Sequence, residues 1–265
     1  MTATRLLRPA ALAATLFLAS GPAAAQDKEA KGWTVEIGPG GYFKPQFPGA
    51  KDLKLRPWPV IDVYRTERGP SFETPDEGFG FSIIGNDSFR VGPALQFDGG
   101  RNEEDAIPGI GDVKTSIEGG AFVEAYVGPQ FRLRGEVRKG FGGHKGVVGD
   151  IGADFIMGSP EALQFSIGPR ARIASARYVR AFFGVNPAQS ALTGLPVYDA
   201  DGGLHSAGAL AFAKYRLGKS WGVQGYGRYD RLLGDAKDSP LVLSDVGSRN
   251  QYEVGFGLSY RFNVR

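Results

Sequence analysis

The sequence predicts an all-β chain: a transmembrane, antiparallel, up-and-down β-barrel of about twelve strands behind a cleaved signal peptide. Three observations predict it. The chain opens with a secretory leader, and polar and apolar residues then alternate over segments of ten or more positions. No apolar run after the leader approaches the ~20 residues that a spanning helix requires.

The leader comes first. Arg5 and Arg8 give a basic start, residues 10–20 (AALAATLFLAS) are apolar and uncharged, and Ala23-Ala24-Ala25 has the small-x-small form that signal peptidase accepts. Polar Gln26-Asp27-Lys28-Glu29 follows at once. The apolar run is too short to cross a bilayer, so residues 1–25 read as a signal peptide and residues 26–265 as the barrel, exported through the periplasm to a Gram-negative outer membrane. The chain has no cysteine. That excludes the lipid-anchored form of a bacterial leader, disulfides, thiolate metal sites and cysteine nucleophiles. Removing Arg5 and Arg8 from the 31 basic side chains leaves them one in excess of the 28 acidic ones, with no basic, aromatic-interleaved patch. Nucleic acid is not an expected partner.

Strands are assigned by period. Tyr252, Val254, Phe256, Leu258, Tyr260 and Phe262 interleave with Gln251, Glu253, Gly255, Gly257, Ser259 and Arg261. Successive side chains of a strand point to opposite faces, so this segment has one wholly apolar face. Residues 129–139 repeat the pattern, with Phe131, Leu133 and Val137 on one side and Arg132, Arg134 and Arg138 on the other. A soluble sandwich also alternates. Segment length favours a membrane barrel, because ordinary strands average about five or six residues. So do aromatics near the segment ends (Trp33, Phe43, Trp221, Tyr229, Tyr252, Phe262), where interfacial girdles belong.

The candidate strands are 33–43, 55–65, 70–75, 78–85, 88–98, 113–127, 129–139, 146–157, 161–174, 203–217, 219–232 and 250–263. Counted back from the last, the turns at Leu217-Gly218-Lys219, Gly158-Ser159-Pro160, Gly128-Pro129 and Gly85-Asn86-Asp87 fall on the periplasmic side. The long connections 99–112, 175–202 and 233–249 fall outside. The third candidate is short and weakly patterned, and ten strands is the alternative count. Arg56-Pro57-Trp58-Pro59 cannot donate fully to a ladder, which predicts a bulged or partly unzipped region.

Several motifs occur in a specific order. Arg56-Pro57-Trp58-Pro59-Val60-Ile61-Asp62 is followed by Gly109-Ile110-Gly111-Asp112 running into Glu118-Gly119-Gly120-Ala121-Phe122, then by Gly142-Gly143-His144-Lys145-Gly146. Phe183-Gly184-Val185, residues 190–195 and Tyr198 come next. Residues 234–242, with Asp235, Asp238, Ser239 and Pro240, and Tyr260-Arg261-Phe262 complete the series. In this order the set closely resembles the MipA/OmpV family, the MltA-interacting proteins of Gram-negative outer membranes, over nearly the whole chain after the leader. The resemblance implies an outer-membrane barrel in contact with outer-membrane lipid. For one branch of the family it implies a scaffold joining a lytic transglycosylase to a murein synthase. One departure is that Asn263-Val264-Arg265 follow the last aromatic, Phe262, although the final strand is intact.

Candidate chemistry is sparse. The histidines are His144 and His205, and His205 adjoins Ser206; neighbours on a strand point to opposite faces and so do not readily share a proton. His144 lies in a glycine-rich loop, where Ser239 or Asp238 from another loop would have to meet it to form a lipid-hydrolysing site. A loop-stabilising role suits His144 better. Gly140-Phe141-Gly142-Gly143-His144-Lys145-Gly146 lacks the spacing of a phosphate loop. Asp199, Asp201, Asp235, Asp238 and Asp245 match no calcium-loop pattern. No catalytic, cofactor or metal site is expected. If the Gly128-Pro129 hairpin sets the register, Arg132, Arg134 and Arg138 face the interior with Glu118 and Glu124, and Arg170 and Arg172 face Asp150 and Asp154. Near twelve strands, such a lumen is wider than the ~8-strand size that side chains alone fill and far narrower than a ~16-strand porin. The expectation is a non-enzymatic scaffold at the cell envelope, with a small diffusion channel as the alternative and a rim lipid hydrolase third.

Overall fold

Period-two alternation over long segments dictates one curved antiparallel sheet, and the computed structural model, which describes residues 32–264, has that architecture. The leader reading of residues 1–25, and residues 26–31, lie outside the described residues. The strands are β1 (Trp33–Gly38), β2 (Gly40–Pro45), β3 (Leu53–Pro57), β4 (Val60–Arg65), β5 (Phe79–Gly80), β6 (Ile84–Gly85), β7 (Phe89–Asp98), β8 (Ser116–Val127), β9 (Phe131–Gly142), β10 (Val147–Gly158), β11 (Leu163–Ala174), β12 (Gly203–Leu217), β13 (Trp221–Leu232) and β14 (Asn250–Val264). From β7 to β14 each strand pairs with the next, and β14 returns to pair with both β1 and β2 (Ile37 opposite Tyr260, Phe43 opposite Val254). The first and last strands of the described residues thus meet in the barrel wall.

Two proline breaks and a gap between β5 and β6 add three segments while one expected strand is lost, so fourteen replace twelve. Pro39 interrupts the first pass into β1 and β2, and Pro59 falls in the gap between β3 and β4. The expected strand at 70–75 is not a strand. Residues 66–78 leave the wall at the end of β4 and run up the inside of the barrel as a strap before rejoining it at β5. This inner pass replaces a wall strand without changing the direction of those that follow.

The partly unzipped region expected around Arg56-Pro57-Trp58-Pro59 is a seam. Among the described residues, no pairing joins β3 or β4 to β5, β6 or β7. Trp58 N–H donates to Gly40 O at 2.8 Å, so Pro57 and Pro59 occupy the positions whose backbone nitrogens point to the seam. Neither has an N–H to leave unpaired. At the long-loop end, side chains span the seam: Lys54 pairs with Asp105 at 3.0 Å and the Arg56 guanidinium packs on Gly99.

The outward face is apolar, and Phe256 is 65% exposed. Aromatics band both ends: Trp221 packs on Tyr260 with ring centroids 5.0 Å apart, and Tyr229 on Tyr252 at 5.3 Å. The roughly eight-residue span from Trp221 to Tyr229, at ~3.3 Å rise and ~40° tilt, separates the bands by about 20 Å, close to the ~25 Å apolar belt of membrane barrels. The short turns lie at one end and the long loops at the other, as expected.

The long loops are not open. They carry α1 (Ala176–Phe183), α2 (Pro187–Thr193), α3 (Gly234–Asp238) and α4 (Pro240–Leu243). Tyr178, Phe182, Phe183, Leu232 and Val242 form one buried cluster, and Phe47, Ile110, Val185 and Leu241 another. Five connections, from residues 46–52 to residues 233–249, therefore pack into a roof with its own apolar core.

Candidate functional site

Alternation puts the even-numbered residues of β8 to β11 inside, and ladder register decides which of them meet. Glu124 stands opposite Arg134 across β8 and β9, and Asp150 opposite Arg172 across β10 and β11. Arg132 is 1% exposed. It donates to Asp154 at 2.8 Å, lies 3.5 Å from Glu124, and reaches the strap through Phe72 O (3.1 Å) and the Glu77 carboxylate. Arg134 pairs with Glu124 (3.3 Å) and Glu136 (2.8 Å). Arg138 pairs with Glu118 (2.8 Å), Glu136 and Asp150 (2.7 Å), and Arg172 shares Asp150 at 2.7 Å. Arg170 links Asp154 (2.7 Å) to Asp76 of the strap (2.8 Å), and Arg228 also reaches Asp76 at 3.1 Å. The arginines of the wall and the acids of the strap thus tie a bridge across the lumen. The gap left among these side chains is about 30 Å³.

Several members of this network were not singled out in the sequence. Asp76 and Glu77 sit in the strap, where the sequence pattern suggested a weak strand. Arg228 lies on β13, far along the chain from its partner. On the opposite wall, fully buried Glu36 accepts from Arg216 at 2.6 Å, Lys214 at 3.1 Å and the Ser259 hydroxyl. Alternation on β1, β12 and β14 marks each of these as inward-facing, but not that they converge.

The β9–β10 hairpin folds His144 back into the barrel mouth. An added Cβ at Gly140 would overlap the His144 ring, so glycine is what leaves the ring its place. His144 N–H donates to Ser116 Oγ at 3.1 Å, and Nδ1 accepts from Gly146 N–H at 3.0 Å. In the neutral ring the proton is therefore on Nε2, 3.0 Å from Glu118. Asp98, Glu118 and His144 bring potential ligand atoms within 4.8 Å of one another. The ring thus stands beside the Glu118 carboxylate, held there by the hairpin backbone. Above it the ring packs on Tyr178 of α1, centroids 4.9 Å apart, so His144 joins the lumen network to the roof.

The other loop residues hold the roof together. Ser239 donates to Phe183 O at 2.6 Å, and Pro240 starts α4 directly after it. Asp235 accepts from Asp201 N–H at 2.7 Å, and Asp238 from Arg249 at 3.1 Å. Ser239 and His144 thus have separate partners, and the residues considered for a hydrolytic site do not assemble into one. Arg101, 2% exposed, donates to Phe182 O at 2.8 Å and reaches Gly111 O at 3.3 Å. Burial pushes its pKa down to about 10, still charged at neutral pH.

His205 and Ser206 depart from the opposite-faces expectation. The β11–β12 ladder shifts register between Arg172 and Ile173, pairing them with Ser206 and Leu204 and leaving His205 as the extra residue of a bulge. Both His205 and Ser206 are consequently buried.

An apolar outer belt, a polar interior and short turns opposite long loops define an integral outer-membrane β-barrel, here with a bridged lumen and a roofed mouth. The chain belongs to the MltA-interacting protein MipA family, whose family model matches residues 37–262. No curated protein sequence matches it. Among solved structures, it is similar to an outer-membrane channel from Pseudomonas putida F1 at 10% identity and a TM-score of 0.43, covering 91% of this chain and 100% of the other. It is also similar to the NanC porin at 9% identity and a TM-score of 0.38, covering 85% and 98%.

Proposed function

We propose that this protein is a non-enzymatic outer-membrane barrel that acts as a membrane-held docking platform for murein-remodelling enzymes, a lytic transglycosylase and a murein synthase. The observation that carries the reading is the bridged lumen. With ion pairs tying the wall to a strap laid along its inside, the barrel offers surface more than permeability. The family description, MltA-interacting protein, agrees with a binding role. Export by the leader at residues 1–25 belongs to the same reading, as does a periplasmic face made of the short turns and residues 26–31. The test is capture of a purified lytic transglycosylase on the immobilised barrel. Replacing turn residues 158–162 or 218–220 should weaken capture while leaving the heat-dependent gel shift of a folded barrel unchanged. Equal capture by all variants and by an unrelated barrel would end the platform reading.

A small diffusion channel is the second reading. The seam between β3–β4 and β5–β7 and the cavity beside it favour that reading, and conductance across planar bilayers separates the two.

A further inference from the structure

The arginines of the lumen bridge are paired with acids, but the cations on one side of the long-loop rim are not. An open groove of about 930 Å³ lies there, between the β9–β10 hairpin, the segment leading into β8, and helices α1 and α2. That is within the size range of small-molecule sites, ~300–1,000 Å³. Five cationic side chains line it (Arg101, Lys114, Lys145, Arg177 and Arg180) against two carboxylates, Asp112 and Asp199. Arg180 pairs with Asp199 at 2.5 Å and with Asp201 at 3.1 Å. Arg101 is buried against backbone carbonyls, and Asp112 accepts from Glu103 N–H at 2.8 Å. Lys114, Lys145 and Arg177 are exposed and have no ion-pair partner among the described residues.

Backbone contacts hold these three cations on adjoining segments. Gly143 N–H donates to Thr115 O at 3.3 Å, which sets the hairpin beside Lys114. Val147 N–H donates to Ser175 Oγ at 2.8 Å and Ser175 N–H to Val147 O at 2.9 Å. That pair sets Lys145 beside the first turn of α1, which carries Arg177.

The groove borders the lipid face. Lys139 lies on the outward side of β9 between exposed Val137 and Phe141, and its ammonium donates to Lys145 O at 2.5 Å. A lysine that lays its stem on apolar surface and lifts its charge marks the height where hydrocarbon gives way to headgroups. Ile117 stands opposite Phe141 and Val147 opposite Lys139, so exposed apolar side chains reach up to the hairpin that carries Lys145. A soluble anion would use the cations alone, whereas an amphiphile uses both surfaces.

We propose that this rim binds a phosphorylated glycolipid of the outer leaflet. Its phosphates lie on Lys114, Lys145 and Arg177, and its acyl chains on Ile117, Phe141 and Val147. Lysine and arginine both make charge-assisted hydrogen bonds to phosphate. The site is at the opposite end of the barrel from the short turns and is independent of any periplasmic partner.

Lipid A serves as the probe, added to the purified barrel in non-ionic detergent, with bound lipid counted by native mass spectrometry. Saturable binding of one lipid is expected. Affinity should fall about tenfold or more in the triple variant Lys114→Gln, Lys145→Gln, Arg177→Gln, and likewise for wild type with dephosphorylated lipid A. The same change of charge at exposed sites off the groove, Lys51→Gln with Arg231→Gln and Lys237→Gln, should leave affinity unchanged. The gel shift on heating reports folding of each variant, and Lys114→Gln and Arg177→Gln singly carry the same test should the triple variant not fold. The assignment would be overturned by full affinity in the folded rim variants, by equal affinity for the dephosphorylated lipid, or by an equal loss in the off-groove variant. Absence of saturable binding, or displacement of the lipid by equimolar inorganic pyrophosphate, would overturn it as well.

Discussion

Arg132 shows how a single side chain can hold a barrel interior. Taking a guanidinium out of water costs several kcal/mol, and attraction to Asp154, Glu77 and Glu124 roughly offsets that cost rather than exceeding it. Its removal is a different matter, because three carboxylates then lose a neighbouring cation. Arg132→Ala should destabilise the barrel by about 3–5 kcal/mol in urea unfolding. Adding Asp154→Ala should recover part of the loss, since it removes one stranded charge. Additive losses would show that the pair is not coupled. The outer face obeys the opposite rule. Phe256→Arg should cost about 2–4 kcal/mol near the bilayer midplane. Gln224→Arg, on the inward face of the neighbouring strand, should cost much less, and a reversed ranking would invert the facing of β13 and β14. Arg132, Arg134 and Arg138 with Glu118 and Glu124 were legible because one hairpin fixes their register. Glu36, Lys214 and Arg216 were not, because β1 and β12 are distant in sequence and on opposite sides of β14 and β13.

At the scale of elements, the long strands from β7 to β14 were readable almost residue by residue, since each has a lipid face that only apolar side chains satisfy. The failures fall where tertiary context outweighs local pattern. Residues 70–75 alternate weakly, and their acids belong to a strap whose partners lie across the lumen. The helices α1 to α4 are short, and packing in the roof rather than helix propensity sustains them. The proline segment was legible in kind. An unpaired edge in hydrocarbon is costly because each free N–H lacks a partner, and Pro57 and Pro59 remove two such donors from the seam. Pro57→Ala with Pro59→Ala restores both N–H groups and also frees the unfolded chain. A loss of about 1–3 kcal/mol per restored unpaired donor is the upper expectation, with ~0.4–1 kcal/mol per proline from chain entropy alone. Chemical unfolding in lipid measures the total. A stabilised double variant would mean that the restored donors find partners and that the seam zips.

For the whole molecule, the question is whether a sheet this wide can be closed to ions. Two barriers lie in series along the barrel axis. The first is the charged bridge, in which the strap brings Asp76 and Glu77 to Arg132, Arg170 and Arg228. The second is the roof, with apolar clusters under the external loops and His144 tying it to Glu118 below. A barrier in series blocks current even when the other is removed. The unmodified protein should therefore give no stable single-channel steps in planar bilayers. Replacing residues 70–78 with a glycine–serine linker should leave conductance low, because the roof still stands. Deleting residues 234–243 alone should also leave it low, because the bridge still stands across the lumen. Combining the two should produce stable ohmic steps, provided the variant keeps the heat-dependent gel shift of a closed barrel. Steps of the same size in the unmodified protein would show that ions bypass both barriers, and the seam beside Pro57 and Pro59 would then be the path to examine.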